Sequence, residues 1–166
     1  MTDIGELEGT RAQWRPKQVH VLFVGESPPA GETFFFNANS KLYWSTLQAF
    51  ELAGLFDDGR CAFLERFRDL GCYLVDLCER PINYLPSKDQ REARNAGVEI
   101  LTDKLVGLSP CAVISTPRRV CKHIEKALAA ASMQHVYFRS IPFPAFGHQR
   151  KYVAELSAIL SELSSE

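Results

Sequence analysis

Apolar positions along the chain fall into four short, nearly continuous runs separated by longer amphipathic segments. The runs lie near residues 19–25, 72–77, 111–115 and 135–141. A short run that is apolar at nearly every position is typical of a strand buried on both faces. Strands that alternate with helices predict a parallel sheet with right-handed crossovers and helices on both faces. The pattern therefore predicts an α/β fold.

The segments between the runs have helical spacing and recognisable helix boundaries. Ser40 is placed to cap the helix in NSKLYWSTLQAFELAG, and Gly54 is placed to end it. A long helix is predicted to end at Leu108, another to begin near Pro117, and a last one to span 148–163. We expect residues 1–18 to form a loose or peripheral arm and residues 19–166 to form a single domain.

Polar residues follow the first two predicted strands directly. Glu26 comes after VHVLFVG, and Asp76 ends the run CYLVDL. In open parallel sheets the ligand crevice lies beyond the carboxyl ends of the strands. We therefore expect Glu26 and Asp76 to converge at one end of the sheet. The structural alternatives are that Glu26 caps a loop or pairs with an arginine, and that Asp76 bonds to loop amides.

Composition narrows the class of protein. The chain has 166 residues, of which 46% are hydrophobic, with a net charge of -1, so the overall charge does not indicate a polyanionic partner. No apolar run reaches the length of about 18 residues that a membrane span needs, and the polar N-terminus is unlike a secretory signal. We expect a cytoplasmic protein.

The five cysteines include no C-x-x-C pair, so we expect no metal site and no cofactor.

Basic residues are concentrated in one part of the chain despite the small net charge. Between residues 115 and 151, seven Lys or Arg side chains face a single acid, Glu125. Positive side chains near helix N-termini favour phosphate. The candidates for contacts with a DNA backbone are Arg118, Arg119, Arg150 and Lys151. The alternative is a basic face that only contacts solvent.

Several motifs together resemble the uracil-DNA glycosylase superfamily. They are the strand ending in GESPP, the phenylalanines that follow it, a second strand ending in a polar residue and followed by R-P, and a late proline-containing loop. The branch whose first motif reads G-E-A-P-G is the most similar. The resemblance covers the chain from Val19 onward. It implies a three-layer α/β/α fold with four parallel strands, for which we predict the order 2-1-3-4.

The resemblance also implies roles for individual residues. Glu26 corresponds to the carboxylate that positions water and supports the developing sugar cation, and Asp76 to the asparagine that reads the base edge. Phe35 or Phe36 corresponds to the aromatic residue that stacks on the flipped base. Phe143 lies near the position of the motif histidine and is expected to contact the substrate, and His148 is the catalytic candidate that could reach back in place of that histidine. Ser27, beside Glu26, is expected to line the same pocket.

This chain departs from the family pattern at three points. Asp76 stands where the family has asparagine, and an ionised carboxylate only accepts hydrogen bonds. The motif histidine is replaced by Phe143, and the cysteines that hold an iron–sulfur cluster in the G-E-A-P-G branch are absent.

In an extended segment Phe34, Phe35 and Phe36 cannot all point inward, so we expect one ring at least to be half-exposed.

Three functions remain open at this point. The first is a monofunctional DNA glycosylase that hydrolyses the N-glycosidic bond of a deaminated or damaged base, acting as a monomer on single- or double-stranded DNA. The second is a non-catalytic member of the same fold that binds nucleic acid or a nucleobase. The third is a serine hydrolase with Ser27 as nucleophile, although proline directly after the serine removes an amide that an oxyanion hole uses.

Overall fold

A four-stranded parallel sheet forms the centre of the computed structural model, which describes residues 3–165. The strands are β1 (Val21–Gly25), β2 (Cys72–Asp76), β3 (Ala112–Ser115) and β4 (Tyr137–Ser140). Their order is β2-β1-β3-β4, and all three pairings are parallel. The predicted α/β fold and strand order are therefore confirmed, and the predicted strand ends differ from the observed ones by two residues at most.

Helices cover both faces of this sheet. They are α1 (Ile4–Gln13), α2 (Lys41–Leu52), α3 (Phe63–Asp69), α4 (Ser87–Leu108), α5 (Cys121–Ala130) and α6 (Gln149–Leu163), with 3₁₀ turns at Phe35–Asn37 and Arg118–Val120. Helix α2 packs on α6, and α4 packs on α5. Right-handed crossovers place α2 and α3 on one face and α4 and α5 on the other.

Local sequence explains where helix α2 begins and ends. The Ser40 hydroxyl accepts a hydrogen bond from the Tyr43 amide at 3.1 Å, which satisfies one of the free donors in the first turn. Gly54 follows the helix with a φ of 72°, a conformation that glycine adopts without steric cost. Both predicted boundary residues thus act as expected.

The N-terminal segment was expected to be a loose or peripheral arm, and it is an ordered helix on the edge strand of the sheet. Ile4–Gln13 is a helix whose first turn is capped by the Asp3 carboxylate, and it buries Leu7 and Arg11. Arg11 donates to the Leu74 carbonyl of the edge strand β2 at 3.1 Å. Helix α1 therefore covers an edge strand that would otherwise be open to another chain. The sequence pattern misses this helix because its most deeply buried side chain is charged.

Candidate functional site at the carboxyl ends of the strands

The first two strands end side by side. Gly25 is the register partner of Asp76, and the Cys78 amide donates to the Glu26 carbonyl at 2.8 Å. A β carbon on Gly25 would collide with the Asp76 carboxylate, so glycine is required at this position. Glu26 and Asp76 thus lie at the same end of the sheet, where the sequence predicted them.

The two carboxylates nevertheless have different environments. Asp76 lies against Gly25. Successive residues of an extended strand point to opposite faces, so Glu26, which follows Gly25, is expected to point away from Asp76. Glu26 instead contacts Arg94 of α4 and Arg119 of the second 3₁₀ turn. The two side chains therefore have separate sets of partners rather than one shared set.

Two arginines hold the Glu26 carboxylate. Arg94 Nη1 donates to Glu26 Oε1 at 2.9 Å, and Arg119 Nε donates to the same oxygen at 2.7 Å. Arg119 Nη2 donates to Oε2 at 2.5 Å. Burial opposes ionisation of Glu26, but the hydrogen bonds and charges of Arg119 and Arg94 outweigh it and lower the pKa of this carboxyl. Glu26 is therefore an ionised carboxylate, and the alternative that it pairs with an arginine is confirmed.

Arg94 reaches Glu26 because helix α4 lies very close to the end of β2. Gly97, one turn further along α4, packs so tightly against the Leu77 carbonyl that a β carbon would not fit between them. Arg94 and Glu26 are 68 positions apart in the chain. The sequence interpretation missed Arg94, since one arginine among the charged residues of a long helix gives no signal of its partner.

Asp76 forms an ion pair that the sequence interpretation did not anticipate. Arg11 Nη2 donates to Asp76 Oδ2 at 2.8 Å, and both side chains are buried. The partner of Asp76 is thus a guanidinium from the N-terminal helix rather than a loop amide. In this contact Asp76 is the acceptor and Arg11 the donor.

The three consecutive phenylalanines are all buried, which contradicts the expectation that one ring is half-exposed. Each of Phe34, Phe35 and Phe36 is 3% exposed. The expectation assumed an extended segment, whereas a 3₁₀ turn begins at Phe35 and Asn39 accepts from the Phe34 amide at 2.7 Å. The turn directs the rings into an aromatic cluster that includes Tyr43, Phe67 and Tyr73. Phe35 and Phe36 are therefore not accessible for base stacking in this conformation.

Exposed aromatic rings lie instead in the loop between β4 and α6. Phe143 is 38% exposed, and Phe146 is 97% exposed with a left-handed φ of 53°. His148 follows at the start of α6 and is exposed. Ser27 is half-buried in a bend that leads into extended backbone, and no helix begins directly after it. This geometry is not the strand-to-helix turn that the serine hydrolase alternative requires.

A second histidine, His123 of α5, lies in the electrostatic environment of the site. Its Nε2 is 3.1 Å from Asn95 Oδ1. Burial and the positive charges of Arg94 and Lys126 lower the pKa of His123, while Glu26 acts in the opposite direction. The imidazole is therefore favoured in its neutral form. The sequence gives no signal for this residue, because His123 lies within an amphipathic helix and not at the end of a strand.

The predicted DNA-backbone residues are surface side chains, and acids from other parts of the chain pair with several of them. Arg118 donates to both Glu155 oxygens at 2.7 and 2.8 Å, and Lys151 lies 4.0 Å from the same carboxylate. Arg150 is exposed on the first turn of α6. The sevenfold excess of basic residues in this segment is therefore partly offset by acids outside it.

Two cavities lie away from Glu26. One of about 480 Å³ is lined by Tyr43, Trp44, Phe56 and Cys61 among others, and one of about 220 Å³ lies between α1 and α4 beside Arg11 and Tyr73. Neither lining includes Glu26 or the loop after β4. The pocket expected around Glu26, Phe36, Asp76 and Phe143 is thus not one of these two cavities.

No protein-family model matches the chain, and no curated protein is significantly similar to it. Within residues 3–165, none of the helices is long and apolar enough to cross a membrane. In the same range, no group of three or more His, Cys, Asp or Glu side chains is arranged to hold a metal ion.

Proposed function

We propose that the protein is a DNA glycosylase-like hydrolase that removes a deaminated or damaged base in DNA repair, acting in the cytoplasm. The observation that carries the proposal is the ionised Glu26 carboxylate, held at the carboxyl end of a central strand. Cleavage of an N-glycosidic bond develops positive charge on the sugar, and a fixed carboxylate stabilises that charge and orients water. The GESPP motif resemblance supports the same role.

The surface near the late loop offers contacts for a nucleic acid. Phe146 and Phe143 expose their rings on this loop, and Arg150 and Lys151 are exposed directly after it. Aromatic rings stack on bases of any sequence, and basic side chains contact phosphates. Because Phe35 and Phe36 are buried, we assign base stacking to Phe146 and Phe143 instead.

One observation favours the second candidate, a non-catalytic protein that binds nucleic acid or a nucleobase. Both oxygens of Glu26 accept hydrogen bonds from arginine, and one oxygen of Asp76 accepts from Arg11. Three of the about four acceptor sites of the Glu26 carboxylate are thus occupied by arginine donors, which leaves little room for a nucleophilic water. Under this alternative, Glu26 only orders the arginines that surround it.

The decisive experiment uses oligonucleotides that each carry one altered base: uracil, hypoxanthine, xanthine or hydroxymethyluracil. We expect abasic sites to form with at least one of them under single-turnover conditions. Glu26→Gln is expected to lower that rate by about 10²- to 10⁴-fold, the usual contribution of a base catalyst, without weakening oligonucleotide binding.

Glu155→Gln is the matched control, because Glu155 is also a carboxylate paired with an arginine but lies on α6. It is expected to retain activity. Binding without abasic sites on any of the four substrates, in wild type and variant alike, would favour the non-catalytic alternative.

A further inference from the structure

Arg119 and Arg94 hold Glu26 in different ways. Arg94 donates from the body of α4 and is 15% exposed, whereas Arg119 belongs to a short 3₁₀ turn and is 62% exposed. Glu26 itself is 12% exposed. Arg119 therefore covers the carboxylate on its solvent side, and Arg94 supports it from the interior.

The contact between Arg119 and Glu26 has the geometry with which arginine binds phosphate. Nε and Nη2 donate side by side to two oxygens of the same group. Two non-bridging oxygens of a phosphodiester present acceptors in the same arrangement, and arginine binds carboxylate and phosphate through the same planar fork. A phosphate can thus take over both donors once Arg119 turns away from Glu26.

We propose that Arg119 forms a phosphate-binding subsite that the Glu26 carboxylate occupies until a nucleic-acid backbone displaces it. Displacement transfers Arg119 from Glu26 to the phosphate and leaves Glu26 bound to Arg94 through Oε1. Oε2, which accepts from Arg119 in this structure, loses the guanidinium that covers it and becomes more accessible to water. Binding of the backbone is thereby coupled to the exposure of the carboxylate.

This inference rests on the proposed function, since it supplies the step by which a Glu26 carboxylate covered by Arg119 becomes accessible to the water that it orients. It also links two roles that the sequence suggested. Arg119 is the residue that contacts DNA, and Glu26 is the carboxylate that this contact uncovers. Arg118 provides a natural comparison. It is the preceding residue, carries the same charge, and pairs with Glu155 instead of Glu26.

The test follows the Glu26 carboxyl directly, by NMR of isotope-labelled glutamate, with Glu26→Gln used to assign the resonance. Wild type, Arg119→Gln and Arg118→Gln are titrated with acid, alone and with a short oligonucleotide that carries no altered base. In wild type and in Arg118→Gln, the oligonucleotide is expected to raise the titration midpoint of Glu26. In Arg119→Gln the midpoint is expected to be raised already and to stay unchanged on binding.

Oligonucleotide affinity, measured by fluorescence anisotropy at several salt concentrations, completes the test. Arg119→Gln is expected to reduce the slope of log affinity against log salt by about 0.7 to 0.9, the contribution of one phosphate contact. An oligonucleotide that binds wild type without moving the Glu26 midpoint would overturn the subsite. An equal effect from inorganic phosphate at the same phosphate concentration would overturn the nucleic-acid backbone as its source.

The failures of the two proposals are distinguishable. A moving Glu26 midpoint without excision of any base would support the subsite and refute the glycosylase. Excision without movement of the midpoint would support the glycosylase and refute the subsite.

Discussion

Arg11 and Asp76 form a buried ion pair that joins the N-terminal helix to the carboxyl end of β2. The guanidinium also donates to the Leu74 carbonyl. Its position over the Phe34 ring, 5.6 Å from the ring centroid, adds a favourable cation–π contact. The pair therefore connects the edge strand, the helix that covers it and the aromatic cluster beside the candidate site.

Arg11→Met is expected to destabilise the fold strongly, because it leaves the Asp76 carboxylate buried without its partner. Removing one member of a buried pair costs about 3–5 kcal/mol, which urea denaturation measures directly. The double variant Arg11→Met/Asp76→Asn is the control, and it is expected to recover part of the loss because it removes the unpaired charge. A loss below about 1 kcal/mol for Arg11→Met would show that water solvates Asp76 once Arg11 is gone.

The sheet was predictable because its signal is local. A strand such as Val21–Gly25 is apolar at every position, and its burial needs no information from distant residues. The order of strands and helices along the chain then limits how a parallel sheet can be arranged, because right-handed crossovers allow only a few topologies. The same locality explains why Glu26 and Asp76 were placed correctly at one end of the sheet.

The partners of these carboxylates were not predictable, because each depends on packing between remote segments. Arg94 reaches Glu26 only because Gly97 lets α4 approach the Leu77 carbonyl. Arg11 reaches Asp76 only because α1 docks on an edge strand. The prediction of a half-exposed ring in Phe34–Phe36 is wrong for a different reason. It assumed that side chains alternate between two faces, and this alternation does not apply to a 3₁₀ turn.

The Glu26 cluster is expected to stabilise the fold in a pH-dependent way. The pKa of Glu26 lies below its ordinary value of 4.5 in the folded state. Its stabilising contribution is therefore fully present above that value and disappears as pH falls through the folded-state pKa. The difference in unfolding free energy between wild type and Glu26→Gln, followed by urea denaturation, should be largest near neutral pH and shrink in acid. A difference that grows in acid would contradict the ion-pair assignment.

Base choice is expected to depend on Asp76. Arg11 donates to Asp76 Oδ2, and in the proposed glycosylase a carboxylate that only accepts hydrogen bonds would oppose the O4 acceptor of uracil. A mismatch of this kind costs about 1–3 kcal/mol, which corresponds to about 5- to 150-fold in rate. Asp76→Asn is therefore expected to raise excision of uracil by that factor near neutral pH in a single-turnover assay.

Asp76→Ala is the matched control, because it removes the Arg11 pair in the same way but supplies no amide. Any gain with Asn must exceed the gain with Ala. Equal rates and affinities for wild type and Asp76→Asn on all four altered bases would show that Asp76 has only a structural role.

Base stacking is expected to depend on Phe146 and not on Phe36. Phe146 is 97% exposed, so Phe146→Ala should change the unfolding free energy by no more than about 0.5 kcal/mol. Loss of one stacked base should weaken binding of a short oligonucleotide by about 1–3 kcal/mol. Phe36→Ala should have the opposite profile, because emptying its buried position costs about 3–5 kcal/mol of stability. Oligonucleotide affinity at a temperature where both variants remain folded separates the two roles, and an unchanged affinity for Phe146→Ala would remove this ring from the proposed nucleic-acid surface.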